Sequence, residues 1–66
     1  MSSEDKQIED LMHQYMTNTE KEARFRIFDT LSEYEGKGID AINELIKVTG
    51  SDDLVVYGLG IIKKMR

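Results

Sequence analysis

Few residues of this 66-residue chain have the types and spacing that chemistry requires. Gly58, Gly60 and Lys63 resemble the start of a phosphate-binding loop. However, a dinucleotide fingerprint needs a third glycine between a strand and a helix, and a P-loop needs Gly-Lys-Ser or Gly-Lys-Thr. Glu9 and His13 lie one helical turn apart, which is the ordinary spacing of a surface pair. With no cysteine to supply a thiolate, the sequence predicts no enzyme, no cofactor and no metal site.

The composition is that of a small soluble protein. Charged residues make up 33% of the chain and the net charge is −4, whereas a nucleic-acid-binding domain usually carries a basic patch or stripe. Residues 1–10 are polar and acidic, unlike a signal peptide. The most apolar stretch, Leu54–Ile62, is much shorter than the roughly 20 residues that span a bilayer. We therefore expect a cytoplasmic protein with no membrane segment and with no deep pocket for a small-molecule substrate.

Apolar residues recur at helical spacing in four segments, and the first two fill the N-terminal half. The first helix is predicted over about residues 3–17, with Ser2 or Ser3 as its cap, and its apolar face carries Ile8, Leu11, Met12, Tyr15 and Met16. The second is predicted to open with a capping box between Thr19 and Glu22. It is predicted to stop at Gly36, because glycine readily adopts the left-handed conformation that ends helices.

The C-terminal half is predicted to form two more helices. The third covers about Ile39–Thr49 and ends at Gly50, and the fourth begins at Ser51 or Asp52. Within the fourth, Leu54–Ile62 is apolar and β-branched enough to form a strand. Such a strand would be apolar on both faces, which suits only the centre of a sheet, and no other segment could pair with it. A helix is therefore the favoured interpretation.

The two halves of the chain resemble each other. A shift of 31 residues carries Ile8 onto Ile39 and keeps the apolar positions of both helices in register. Residues 38–65, GIDAINELIKVTGSDDLVVYGLGIIKKM, resemble a short HEAT-type helical repeat, with an apolar first helix, an acidic turn and a second helix of small and large apolar residues. The turn lacks the proline that is often found there, and Tyr57 stands where a basic residue is common. The resemblance gives two repeats, at about residues 7–36 and 38–66.

This resemblance implies one all-α domain over residues 1–66, with four antiparallel helices in two hairpins. The domain is expected as a HEAT-like mini-solenoid or as a compact four-helix bundle. Helical repeats are usually stacked in threes or more and need capping ends. Two repeats therefore imply a homodimer or a larger protein partner.

One face of the second helix in each repeat carries a candidate binding strip. A helical projection of the fourth helix places Gly58 inside the apolar arc and Gly60 opposite it. Val56 falls outside that arc, and its repeat counterpart Phe25 falls outside the arc of the second helix. We predict partner binding by Phe25, Asp29, Val56, Gly60 and Lys63. The alternative is that these residues pack within the monomer.

The function predicted from these features is a non-catalytic protein–protein interaction module, which self-associates or acts as an accessory subunit. The alternative is a small nucleic-acid-associated regulatory protein that uses the basic C-terminal end, formed by Lys63, Lys64 and Arg66. Nucleic-acid binding would depend on salt, because phosphate contacts release counterions.

Overall fold

A computed structural model describes residues 3–65, so the proposed cap Ser2 and the basic Arg66 lie outside the described residues. The four helices are α1 (Ser3–Thr17), α2 (Lys21–Ser32), α3 (Glu35–Val48) and α4 (Asp52–Met65). Over these residues there is no strand. The all-α prediction is confirmed, including the helical interpretation of Leu54–Ile62, because tertiary context outweighs a modest β propensity.

The helices α2 and α3 form the middle of the structure. Each of them contacts all three other helices, whereas α1 and α4 do not touch within the described range. The molecule is therefore flat, with Cα extents of 33 × 28 × 17 Å. Its core is built from all four helices and contains Ile8, Tyr15, Ile27, Phe28, Leu31, Ala41, Ile42, Leu45, Leu54 and Ile62.

Two ion pairs show how the helices are aligned. Lys21 on α2 contacts Asp53 on α4 at 2.8 Å, and Lys37 on α3 contacts Asp5 on α1 at 2.9 Å. Both pairs join residues that are 32 positions apart in the chain. The first helices of the two hairpins therefore lie side by side, and so do the second helices, with the same offset of 32 residues.

The start of α2 differs from the sequence prediction. Helix α2 begins at Lys21 with Glu20 as its N-cap, and the cap position makes no side-chain hydrogen bond. The predicted capping box is wrong, because Thr19 precedes the cap position by one residue. The turn is held instead by Arg24, whose Nε donates to the carbonyl oxygens of Asn18 at 2.7 Å and Tyr15 at 3.2 Å. These two hydrogen bonds satisfy carbonyl groups that the end of α1 leaves without an intrahelical partner.

The predicted stop at Gly36 is also wrong. Helix α2 ends at Ser32, and α3 begins at Glu35, so Gly36 lies inside α3, which starts earlier than predicted. The left-handed residue of this turn is Glu35, with φ of 55°, and no described glycine has a positive φ. Gly38 is the glycine that the turn requires. A Cβ at Gly38 would lie 1.8 Å from the carbonyl oxygen of Leu31, so only glycine lets α3 approach the end of α2 this closely.

The orientation of α4 agrees with the sequence prediction. Gly58 is buried, and a Cβ there would lie 2.8 Å from Cδ1 of Ile46. Gly60 is exposed and a Cβ there would have no neighbour within 4 Å. Met16, which was assigned to the apolar face of the first helix, is nevertheless 57% exposed, and Leu59 on α4 is 50% exposed. In a helical projection both lie at the edge of the apolar arc of their helix.

Candidate functional site

The five residues predicted to bind a partner lie on α2 and α4, which pack against each other. Phe25 is half-buried, and its ring packs against that of Tyr57 with centroids 4.8 Å apart and a tilt of 57°. Phe25 therefore belongs to the contact between the two helices. For this residue the contact agrees with the alternative of packing within the monomer, and its part in partner binding stays a prediction.

The hydroxyl of Tyr57 donates a hydrogen bond of 2.5 Å to Oδ1 of Asp29. This hydrogen bond raises the pKa of Tyr57 above its ordinary value, and partial burial and the negative charge of Asp29 act in the same direction. Asp29 therefore has a partner within its own chain. At the start of the two helices, the hydrogen bond and the charge of Lys21 lower the pKa of Asp53. The α2–α4 contact is thus held by an ion pair, a ring contact and a hydrogen bond.

An open cleft of about 560 Å³ lies beside this contact. It is lined by Asp29, Ser32, Val56, Tyr57, Gly60, Ile61, Lys64 and Met65. Three predicted residues, Asp29, Val56 and Gly60, are therefore brought together. Lys63 is exposed on α4 but does not line the cleft, and Lys64 is the basic residue that does.

The sequence prediction missed several residues that line the cleft. Tyr57, Ile61 and Lys64 follow the spacing i, i+4 and i+7 along one side of α4, which could have identified a shared face. Ser32 on α2 lines the same cleft. Predicting this would have required the register between two helices that are distant in sequence.

The exposed apolar side chains are concentrated on α4. Of the five large hydrophobic residues exposed in the described range, three lie on this helix: Val56 at 69%, Leu59 at 50% and Tyr57 at 37%. Single exposed apolar residues are common on protein surfaces. Two of these residues, Val56 and Tyr57, line the cleft, and exposed apolar surface beside a cleft is typical of an interaction site.

The other residues considered for chemistry do not come together in a site within the described residues. His13 is exposed on α1, and within residues 3–65 no group of three or more His, Cys, Asp or Glu side chains is arranged to hold a metal ion. Among the four described helices, none is long and apolar enough to cross a membrane.

No protein-family model, curated protein or solved structure matches this chain.

Proposed function

We propose that this protein is a non-catalytic protein–protein interaction module, which binds through α4 and its cleft with α2. The main observation that supports this proposal is the cleft of about 560 Å³ beside Val56, which is 69% exposed. A partner that covered Val56 and the apolar part of the cleft would gain binding free energy, because burying apolar surface contributes about 25 cal/mol per Å². The partner is a second copy of the chain or a larger protein for which this chain is an accessory subunit.

The relation between the two hairpins supports the same proposal. Lys21–Asp53 and Lys37–Asp5 link equivalent helices with one common offset, as stacked repeats of the HEAT type would. In such a stack α2 and α4 would form one continuous layer, and the cleft would lie between two neighbouring helices of that layer. Because a chain this small buries only about 60% of its unfolded surface, further burial against a partner would stabilise it.

Photo-crosslinking tests this proposal directly. A photoreactive phenylalanine analogue is placed at Val56, and the matched control carries it at His13, which is exposed on α1 away from the cleft. In cells of the source organism we expect adducts of defined mass from position 56 and none from position 13. Mass spectrometry then identifies the crosslinked chain. The absence of adducts from position 56, or equal adducts from both positions, would overturn the proposal.

Val56 is a better probe than Phe25. A substitution of Phe25 would remove its ring contact with Tyr57 and would disturb the packing of α2 on α4. A substitution of Val56 changes a side chain that is mostly in solvent. A loss of binding at Val56 can therefore be separated from a loss of folding.

The second candidate function is nucleic-acid binding by the basic end of α4, which the exposure of Lys63 and Lys64 favours. The affinity for a DNA or RNA oligonucleotide should then fall with increasing salt, and Lys63→Gln with Lys64→Gln should reduce the salt dependence. The net charge of −4 counts against this candidate, and a lack of binding at low salt would exclude it.

A further inference from the structure

The outward face of α4 carries four exposed residues with a regular spacing. Asp52, Val56, Leu59 and Lys63 follow one another at intervals of four, three and four residues. This alternation is the seam spacing of paired helices, because it keeps one stripe facing a neighbouring helix. We call these four residues the α4 seam. Its centre is apolar, its first residue is acidic and its last residue is basic.

We propose that the α4 seam pairs with the α4 seam of a second copy, antiparallel and around a two-fold axis. This inference rests on the proposed function and specifies its partner. In this arrangement Asp52 faces Lys63 of the second copy, and Val56 faces Leu59 of the second copy. The two-fold axis repeats both contacts, because an interface of this symmetry uses the same patch on both chains.

The charges select the orientation. A parallel pair would set Asp52 against Asp52 of the second copy and Lys63 against Lys63 of the second copy, and like charges in contact are unfavourable. The antiparallel pair replaces both repulsions by ion pairs. It also places the helix dipoles in opposite directions, which is the favourable alignment.

The neighbouring residues leave the seam accessible. Asp53 is engaged by Lys21 of its own chain at 2.8 Å, and Lys64 lines the α2–α4 cleft. Asp52 and Lys63 are therefore the charges that face outward along the seam. Gly60 lies beside Val56, and the absence of atoms within 4 Å of its Cβ position leaves room for a second helix to approach closely.

The size of the seam sets the expected strength of the dimer. Two apolar layers flanked by ion pairs form a small interface, in the class below about 1,200 Å² that is typical of weak and transient complexes. We expect dissociation constants between the micromolar and the millimolar range. Sedimentation equilibrium over this concentration range should show wild-type protein shifting from monomer to dimer.

Charge exchange tests the orientation. Asp52→Lys places lysine against Lys63 of the second copy at both ends of the seam, and Lys63→Asp places aspartate against Asp52 in the same way. For each variant alone, the dissociation constant of the dimer should rise by about tenfold or more. An equimolar mixture of the two variants should form a heterodimer, and the double variant should form a homodimer again. The controls Asp10→Lys and Lys6→Asp make the same net-charge changes on exposed positions of α1 and should leave dimerisation unchanged.

The recovery in the mixture separates this proposal from a structural effect, because a misfolded variant cannot regain affinity from another misfolded variant. Dimers that are insensitive to both exchanges would overturn the α4 seam and leave self-association by another surface. A monomer throughout the concentration range would overturn the homodimer. In that case, crosslinks from Val56 to a different chain would still support the interaction module, and their absence would overturn both proposals.

Discussion

Replacing Gly38 by alanine should be among the most damaging small substitutions in this protein. Gly38 lies in the first turns of α3, and its Cβ would stand 1.8 Å from the carbonyl oxygen of Leu31. Ordinary contacts of a Cβ begin at 3.4 Å, so α3 and the end of α2 must separate by more than an ångström. The obstacle is backbone, which cannot rotate away as the end of a side chain can.

The magnitude follows from two opposing effects. Overpacking of a well-packed contact costs about 1 to 3 kcal/mol, occasionally more. Replacing glycine by alanine inside a helix returns up to about 1 kcal/mol. The clash at Gly38 is severe, so we expect a net loss of about 2 to 3 kcal/mol. A chain of this size has a total stability of only about 3 to 10 kcal/mol, by the usual stability per residue.

Two other glycines of the same chain serve as matched controls. At Gly58 the new Cβ meets Cδ1 of Ile46 at 2.8 Å and Cγ2 of Ile42 at 3.2 Å. Ile46 is half-buried and its terminal carbon can move, so the gain in helix propensity offsets most of the clash, and Gly58→Ala should change stability by less than about 1 kcal/mol. Gly60 has no neighbour, and Gly60→Ala should stabilise the helix by up to about 1 kcal/mol.

The free energy of unfolding of all three variants is measured by urea denaturation, followed by far-UV circular dichroism. The protein concentration is kept low enough for the chain to be monomeric. The expected order of stability is Gly60→Ala, then Gly58→Ala, then Gly38→Ala. For a domain of this size the loss at Gly38 corresponds to a fall in melting temperature of about 10 to 20 °C. Wild-type stability in Gly38→Ala would refute the close approach of α3 to α2. Equal effects at Gly58 and Gly60 would refute the orientation of α4.

Three further predictions concern single side chains. Tyr15 is 1% exposed and its hydroxyl has no hydrogen-bond partner within the described residues, so Tyr15→Phe should raise the free energy of unfolding by about 1 kcal/mol while keeping the ring stack on Phe28. Glu35 adopts a left-handed conformation with φ of 55°, and Glu35→Gly should raise the melting temperature through a gain of up to about 1 kcal/mol. Tyr57→Phe removes the hydrogen bond to Asp29 and should cost about 1 kcal/mol near neutral pH, a value reduced by the exposure of this group. Because that bond raises the pKa of Tyr57, its stabilisation should be complete below pH 10 and disappear as the pH rises through the folded-state pKa.

Each of these predictions has an opposing result. A clear loss of stability in Tyr15→Phe would show that the hydroxyl is hydrogen-bonded. A fall in melting temperature for Glu35→Gly would show that the turn does not require a left-handed residue. For Tyr57, the wild type and the Phe variant are compared by urea denaturation from neutral to alkaline pH. A difference in stability that does not shrink at high pH would contradict the assigned bond.

The helical interpretation of α4 shows how far local pattern reaches. A helical projection places most of the apolar residues of α4 on one arc, and this arc separates buried Gly58 from exposed Gly60 without any knowledge of the neighbours. The same reasoning places Val56 on the outward face. These properties depend only on residues within one helix, so the sequence alone could predict them.

The cleft and its surroundings could be predicted only in part. Phe25 and Asp29 were assigned to the correct helix, but their contacts with Tyr57 depend on how far α2 is displaced along α4. That displacement is set by packing between helices that are distant in the chain. No local pattern encodes it.

The number of helices, their approximate bounds and their apolar faces were determined by the sequence itself, because helical periodicity and the breaks between helices are local properties. The turn between α2 and α3 was decided by the tertiary structure. Gly38 is needed because the backbone of Leu31 passes within contact distance, whereas Gly36, the stop signal predicted from the sequence, lies inside α3. The candidate cleft likewise exists only because α2 and α4 lie side by side, which is a consequence of how the whole core packs.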